Sequence, residues 1–235
     1  MNRTAPPPAP PRRTRRFLLV VLAVLGTAAL LLLLPHRMLL MAAPRCLAGQ
    51  WHGCGDTFNG VVLMTLVTVP LSLLVAWVLA WRRRAAGAVS AWRMSLAEVG
   101  MVHGTVPLVW LTMMPGEAAG LVSGRVSLVP LRDLVVMGPL GIAGNLVIFA
   151  ALGFFAPIRF AAAASAPRIL ALGAGCSALV EVAQYVLRLD RVSSVDDVLV
   201  NATGALPAGL ASRRWWRTRE AAPSAEARPL PAPAA

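Results

Sequence analysis

The 235-residue sequence predicts an all-α, polytopic integral membrane protein: a helical bundle of about six transmembrane helices, with four as the alternative count. Hydrophobic residues make up 57% of the chain, and the mean hydropathy is +0.69. Charged residues make up only 14%, whereas soluble domains contain about a quarter. Apolar runs long enough to cross a bilayer recur along the chain. Together these observations exclude a soluble enzyme.

The strong positive charge of the chain has a membrane explanation. Its 22 arginines and 10 acidic residues, with no lysine, give a formal net charge of +12, a balance also found in nucleic-acid-binding proteins. The arginines, however, lie beside apolar runs rather than along one amphipathic surface, and tryptophans mostly mark the ends of these runs. This distribution follows the positive-inside rule. The sequence therefore predicts a lipid bilayer, and no nucleic acid, as partner.

The N-terminal half is predicted to contain a basic arm and a transmembrane region. Residues 1–16 are rich in proline and arginine, which is typical of a disordered cytoplasmic arm. Residues 17–115 form the predicted N-terminal transmembrane region. Its segments are an uncleaved first span at 17–34, a polar loop at 35–59, the clearest span at 60–81 and a weaker span at 94–114.

Three further apolar runs lie in the C-terminal half, at residues 138–157, 169–187 and 198–211, and residues 212–235 are predicted to be a disordered cytoplasmic tail. Six spans place both termini in the cytoplasm, with 16 arginines inside and 6 outside. A four-span alternative omits 94–114 and 198–211, and places 18 inside and 4 outside. The distribution of arginine alone does not decide between six and four spans. Six spans are preferred because both omitted segments are apolar enough to need lipid or protein cover.

Polar residues inside the last runs predict a site. Each charge inside a membrane costs about 2.5–3.5 kcal/mol on insertion scales, so its presence calls for an explanation. Helical spacing places Ser177, Glu181 and Gln184 on one face. The same spacing places Asp197 and Asn201 on one face of the next run. With six spans these residues reach similar depths, which predicts one polar pocket open to the outer leaflet. Its members are Asn145, Glu181, Gln184, Arg191, Asp197 and Asn201.

The same residues also have a structural interpretation. Hydrogen bonds between polar side chains hold membrane helices together, at about 0.6–2 kcal/mol each. An ion pair of Glu181 with Arg188 or Arg191 would satisfy the carboxylate without a ligand. If the pocket binds a ligand, Glu181 is its predicted central group and Arg191 the cation that faces an anion, with Asp197 orienting Arg191. Both interpretations stay open.

Four short motifs follow one another in the C-terminal half. They are Val126-Ser127-Leu128-Val129-Pro130-Leu131, Asn145-x-x-x-Phe149-x-x-x-Gly153, Ser177-x-x-x-Glu181-x-x-Gln184, and Arg191-x-x-x-x-Asp196-Asp197-x-x-x-Asn201-x-x-Gly204. In this order and spacing they resemble the VanZ-like family of bacterial membrane proteins, and residues 120–211 are predicted to form a VanZ-like membrane domain. The chain departs from the usual family pattern at three positions: Ala151 stands in place of a proline, Ser194 in place of an acidic residue and Leu131 in place of an aromatic residue.

The resemblance implies a role in the bacterial cell envelope. The family's namesake is associated with low-level resistance to teicoplanin, a lipid-anchored glycopeptide that acts on wall precursors outside the membrane. By this resemblance the chain is expected in the bacterial cell membrane, where it binds or shields a lipid-linked cell-wall precursor or a lipophilic glycopeptide. The family's polar positions correspond to Asn145, Glu181, Gln184, Arg191, Asp196, Asp197 and Asn201.

Two other classes of function stay open: a membrane enzyme acting on a lipid-linked phosphate or glycan, and a structural membrane partner protein. Adjacent carboxylates such as Asp196 and Asp197 occur as metal ligands or as an acid and a base. On a helix, however, adjacent side chains point about 100° apart, and acids at a helix N-terminus also favour its dipole. The motifs G-x-S-x-G and H-E-x-x-H are absent from the sequence. Catalytic residues therefore remain unassigned.

The loop before the second run contains Cys46, His52 and Cys54. Thiolate and imidazole are common zinc ligands, whereas a Cys46–Cys54 disulfide suits an oxidising exterior. The spacing lacks the paired ligands of established zinc motifs. No metal or cofactor is predicted, and a disulfide and a loop without function stay open.

Overall fold

A computed structural model of the chain describes residues 36–217. The described residues are mostly α-helical, which confirms the predicted all-α class. The chain divides between Val67 and Thr68 into two compact units. The predicted arm at 1–16, the first span at 17–34 and the tail beyond residue 217 lie outside the described residues.

The described part of the N-terminal unit contains two helices, α1 (His36–Leu47) and α2 (Phe58–Val67). The prediction of a polar loop at 35–59 is therefore wrong in its first half. Leucine, methionine and alanine dominate that half, and all three have high helix propensity.

A disulfide between Cys46 and Cys54 closes the turn that follows α1. The disulfide leaves neither thiolate for a metal, and the described residues contain no cluster of three or more metal-ligating side chains. His52 Nδ1 lies 2.9 Å from Asp56 Oδ2. This hydrogen bond lowers the pKa of the Asp56 carboxyl below its ordinary value.

Residues 68–217, the described part of the C-terminal unit, form six α-helices. They are α3 (Val69–Ala85), α4 (Ala91–Thr112), α5 (Leu134–Ile148), α6 (Ala150–Arg159), α7 (Ala166–Val186) and α8 (Val195–Ala211). Helix α5 is interrupted at Gly138, whose φ of 68° and ψ of 168° suit a residue without a side chain. Pro139 follows and has no backbone N–H to continue the helical ladder. The first turn of α5 is thus separate from the rest of the helix.

Two short strands, which the sequence did not predict, lie in the same unit. Strand β1 (Arg125–Ser127) pairs in parallel with β2 (Val192–Ser194). Each strand leads towards a helix, β1 towards α5 and β2 directly into α8. Extended backbone near a membrane needs hydrogen-bond partners, and this pairing supplies them.

Three helical segments among the described residues are long and apolar enough to span a membrane: α4, α5 with α6, and α7. Counting the consecutive helices α2 and α3 as one segment gives a fourth. The predicted span at 198–211 belongs to α8, which has 17 residues. This corresponds to about 25 Å of helix, short of a hydrocarbon core of about 30 Å. The predicted count of six spans is not confirmed.

Helix α8 lies at the centre of the C-terminal unit and packs against α5, α6 and α7. Small residues permit this close packing. Gly204 faces the backbone carbonyl of Leu146 in α5, and Gly153 of α6 faces the carbonyl of Ala205. Close approach of backbones at small residues is the usual way in which membrane helices gain packing energy.

The C-terminal unit has two chemically different ends. The strand end contains β1, β2 and the first turns of α5 and α8. The opposite, arginine-rich end contains the last turns of α3 and α6 and the first turns of α4 and α7. The described part of the unit has four arginines at the strand end: Arg125, Arg132, Arg188 and Arg191. It has nine at the other end: Arg82, Arg83, Arg84, Arg93, Arg159, Arg168, Arg213, Arg214 and Arg217.

Replacement of Gly204 by alanine is expected to destabilise the bundle, because the new methyl group would overlap the Leu146 carbonyl. Overpacking of this kind costs about 1–3 kcal/mol. The apparent Tm of the detergent-purified protein should therefore fall for G204A. Gly175→Ala in α7 is the matched control, because its methyl group would meet no atom within 4 Å. Equal Tm values for both variants would contradict the packing described for α8.

Candidate functional site

Four carboxylates come together at the strand end around the start of α8. This acidic cluster consists of Asp133, Glu181, Asp196 and Asp197. Asp133 directly precedes α5, Glu181 lies in the penultimate turn of α7, and the other two belong to the first turn of α8. The cluster therefore depends on three helices that are distant in sequence and meet at one end of the unit.

Ser194 connects three of these carboxylate-bearing residues. Its hydroxyl donates to Asp133 Oδ2 over 2.5 Å and accepts from the backbone N–H of Asp196 over 3.1 Å. Its own N–H donates to Glu181 Oε2 over 3.0 Å. The neighbouring Ser193 hydroxyl donates to the backbone carbonyl of Glu181 over 2.8 Å. These bonds fix the end of β2 to α7 and begin α8 with a serine N-cap.

The hydroxyl of Ser194 also changes the acidity of Asp133. Its hydrogen bond stabilises the ionised form and lowers the pKa of the Asp133 carboxyl. When folding lowers the pKa of a carboxyl group, ionisation of that group stabilises the folded state at pH values above the ordinary carboxyl pKa. The contribution is lost as the pH falls through the lowered value. Asp133 is thus an anion at neutral pH.

Asp196 is fully buried and binds three backbone N–H groups. Oδ1 accepts from Leu131 over 2.5 Å, and Oδ2 accepts from Asp133 over 2.8 Å and from Leu134 over 3.3 Å. Leu131 has a φ of 67°, which is unfavourable for a residue with a branched side chain. Both oxygens of Asp196 are therefore used to hold the turn at 131–134 and the start of α5.

Asp197 and Asn145 form a second polar pair within the cluster. Asn145 Nδ2 donates to Asp197 Oδ1 over 2.5 Å, and it also lies 3.4 Å from the sulfur of Met137. Both polar residues are half-buried. Glu181 and Asp197 each keep one oxygen without a hydrogen-bond donor among the described residues.

The other predicted site residues each contact a neighbouring element. Gln184 Nε2 donates to the Thr112 carbonyl at the end of α4 over 2.9 Å. Arg191 is exposed and donates from Nε and Nη2 to the Met114 carbonyl over 3.3 and 3.2 Å. Both residues thus attach the strand end to the end of α4.

Asn201 lies one turn further along α8 than the acidic cluster. Its Nδ2 donates to Ser177 Oγ of α7 over 2.7 Å. The side chain is 3% exposed, and its Oδ1 is buried without a partner among the described residues. The structure therefore brings Asn145, Glu181, Asp196 and Asp197 together, and Asn201 lies one turn of α8 further from the strand end.

The ion pairs considered for Glu181 do not form among the described residues. At the strand end Arg125 pairs with Asp190 over 3.2 Å, while Arg191 binds a carbonyl and makes no hydrogen bond with Asp197. Asp190 also accepts from the N–H of Ala118 over 3.1 Å. Instead, one oxygen of Glu181 accepts a hydrogen bond from the backbone N–H of Ser194.

Sequence reasoning missed the contributions of Asp133, Ser194 and Asp190. The spacing Ser194-x-Asp196 before an apolar run is a signal for a helix N-terminus, and it could have identified Ser194 as a cap. Asp133, placed just before another apolar run, carries a similar signal. Nothing in the local sequence indicates that Asp190 contacts residues 118 and 125.

The fold and the site define a helical membrane domain with a carboxylate cluster at one end. The sequence model of the VanZ/LLP1 family matches residues 102–215. Residues 102–215 are thus a VanZ-like domain, and this stretch contains every residue of the acidic cluster. Searches of curated proteins and of solved structures gave no significant match.

The two adjacent aspartates are expected to differ sharply in their effect on stability. Asp196→Asn places an amide N–H₂ against backbone donors, and each buried donor left unpaired costs about 1–3 kcal/mol. Asp197→Asn keeps a carbonyl oxygen that accepts from Asn145. The apparent Tm and the membrane level should therefore fall for D196N and stay near wild type for D197N. Equal losses in the two variants would refute the separate roles assigned to these residues.

Proposed function

We propose that this protein binds the polar head of a lipid-linked cell-wall component, or a lipophilic glycopeptide, at the strand end of its C-terminal unit. The observation that carries the proposal is the pair of oxygens on Glu181 and Asp197 that the fold leaves available. Carboxyl groups placed at the edge of a membrane are costly unless they are used, which favours a binding role over a purely structural one.

The distribution of arginine supports an outward-facing strand end. Among the described residues of the C-terminal unit, nine arginines lie at the opposite end and four at the strand end. Cytoplasmic loops carry the excess of positive charge in membrane proteins. In this orientation the acidic cluster faces the side of the membrane on which wall precursors and glycopeptides are found.

The chemistry of the cluster suits ligands rich in hydrogen-bond donors. Carboxylates accept from sugar hydroxyls, peptide amides and ammonium groups. Arg191 uses two of its N–H groups on the Met114 carbonyl and remains exposed, so its charge is available to an anionic group such as a phosphate. The buried Oδ1 of Asn201 offers a further acceptor one turn deeper.

Apolar side chains beside the cluster suit a ligand that carries a lipid. Val135, Val136 and Leu140 are more than four-fifths exposed, on either side of the break at Gly138. Such an apolar surface contacts acyl chains at low cost, so a lipid-anchored ligand would approach the cluster from within the leaflet. The association of the family's namesake with teicoplanin, itself lipid-anchored, agrees with this approach.

An enzyme that uses Asp196 and Asp197 together receives less support. Both oxygens of Asp196 are engaged by three backbone N–H groups. They are not available to ligate a metal or to transfer a proton without disrupting the start of α5. The geometry supports a binding protein better than a two-aspartate hydrolase.

The proposal predicts that neutralising the two available carboxylates weakens ligand binding without unfolding the protein. In E181Q/D197N each new amide oxygen still accepts the hydrogen bond that the carboxylate accepted. Binding of fluorescent teicoplanin and of a lipid-linked disaccharide-peptide precursor is measured on the full-length protein in nanodiscs. At least one probe should bind wild type, with at least about fivefold lower affinity for the variant.

Glu117→Gln is the matched control, because Glu117 is an exposed acid at the same end. It should leave the affinity unchanged. Teicoplanin tolerance of a susceptible bacterial host, normalised to membrane level, is the second readout. Equal affinity of wild type and E181Q/D197N, or binding of neither probe to wild type, would overturn the proposal.

A further inference from the structure

A groove of about 500 Å³ opens at the arginine-rich end of the C-terminal unit. Its walls come from α4, α6, the short turn at Ala161–Ala163 and the start of α7. Its principal lining residues are Met101, Leu152, Phe160, Ala163, Arg168 and Leu172. Cavities of a few hundred Å³ are large enough for small ligands. The acidic cluster lies at the other end of the unit, so this groove is separate from the proposed binding site.

We propose that the groove holds an acyl chain of an anionic phospholipid whose phosphate pairs with Arg168. Every lining residue other than Arg168 is apolar, and none is acidic. An apolar channel with one cation at its mouth matches a molecule that has an apolar chain and an anionic head. The inference does not depend on the function proposed for the strand end.

The charge of Arg168 is uncompensated within the described residues. Arg83 pairs with Glu98, and Arg159 lies 3.7 Å from the same carboxylate. Arg168, in contrast, is exposed and makes no ion pair with a described residue. A phosphate at the mouth of the groove would supply the missing anion.

The backbone near Arg168 also favours an anion. Arg168 belongs to the first turn of the 21-residue helix α7, whose N-terminus carries a partial positive charge.

The position of the groove selects a lipid over a soluble anion. Helices α4, α6 and α7 that line it belong to the segments long and apolar enough to cross a membrane. The apolar wall extends from Arg168 to Leu152, about two turns into α6 from its end, or about 10 Å. Basic pockets between membrane helices on the cytoplasmic side are suited to anionic headgroups. A free phosphate would fill only the mouth.

The test is lipid binding to the full-length, detergent-purified protein, measured by native mass spectrometry during titration with phosphatidylglycerol or phosphatidylcholine. Wild type should retain phosphatidylglycerol in preference to phosphatidylcholine. Arg168→Ala should lower phosphatidylglycerol retention by at least about fivefold. Arg168→Lys, which keeps the charge, should restore part of it. Ala171→Trp, at the exposed rim of the groove, should lower retention of both lipids by blocking the chain.

Arg82→Ala is the control, because Arg82 is an exposed arginine at the same end that does not line the groove. It should leave retention unchanged. Equal losses for R82A and R168A would indicate general charge attraction and overturn the proposal. So would equal retention of the two lipids, or displacement of phosphatidylglycerol by inorganic phosphate alone. The apparent Tm of each variant should equal that of wild type, which distinguishes a loss of lipid binding from unfolding. If R168A does not accumulate, R168Q is used in its place.

Discussion

The buried carboxylate of Asp196 is the interaction on which the strand end depends. It binds the N–H groups of Leu131, Asp133 and Leu134, which otherwise would lie unpaired at the start of α5. Irregular backbone at the edge of a membrane persists only where its polar groups are satisfied by protein. One side chain at the start of α8 thus holds a turn that is more than 60 residues away in sequence. The same turn places the Asp133 carboxylate where it can accept a hydrogen bond from the Ser194 hydroxyl.

Close packing of helices makes this long-range interaction possible. Gly204 and Gly153 allow α8 to approach α5 and α6 at the distance of backbone contact. Asn201 and Ser177 add a hydrogen bond between α8 and α7 in the same interior. The acidic cluster is therefore a product of the α8 interface: small residues bring the helices together, and polar residues fix their ends. Polar residues here stabilise the bundle, and Glu181 and Asp197 still keep one available oxygen each.

The sequence predicted the all-α class and the faces of α7 and α8 that contact each other. It did not predict the contacts at the strand end. Helical spacing placed Ser177 and Glu181 on one face of α7, and Asp197 and Asn201 on one face of α8. The two faces contact each other, since Asn201 donates to Ser177 and the N-cap of α8 donates to Glu181. The resemblance to the VanZ-like family, which rested on the same residues, is confirmed. Strands β1 and β2 were missed because three-residue pairing between distant segments leaves no local periodicity. The roles of Asp133 and Asp190 were missed for the same reason: each binds a segment about 60 to 70 residues away.

Ligand binding from outside requires an outward-facing strand end, so the decisive measurement is the orientation of the C-terminal unit in the membrane. The measurement uses a C176A background, in which Cys46 and Cys54 remain joined, with one new cysteine in place of either Glu117 or Val89. Glu117 is exposed at the strand end, and Val89 is fully exposed in the turn between α3 and α4 at the arginine-rich end. If the strand end faces outward, an impermeant maleimide labels E117C in intact bacterial cells and V89C only after lysis. Labelling of V89C in intact cells, with E117C protected until lysis, would place the acidic cluster in the cytoplasm and contradict ligand binding from outside.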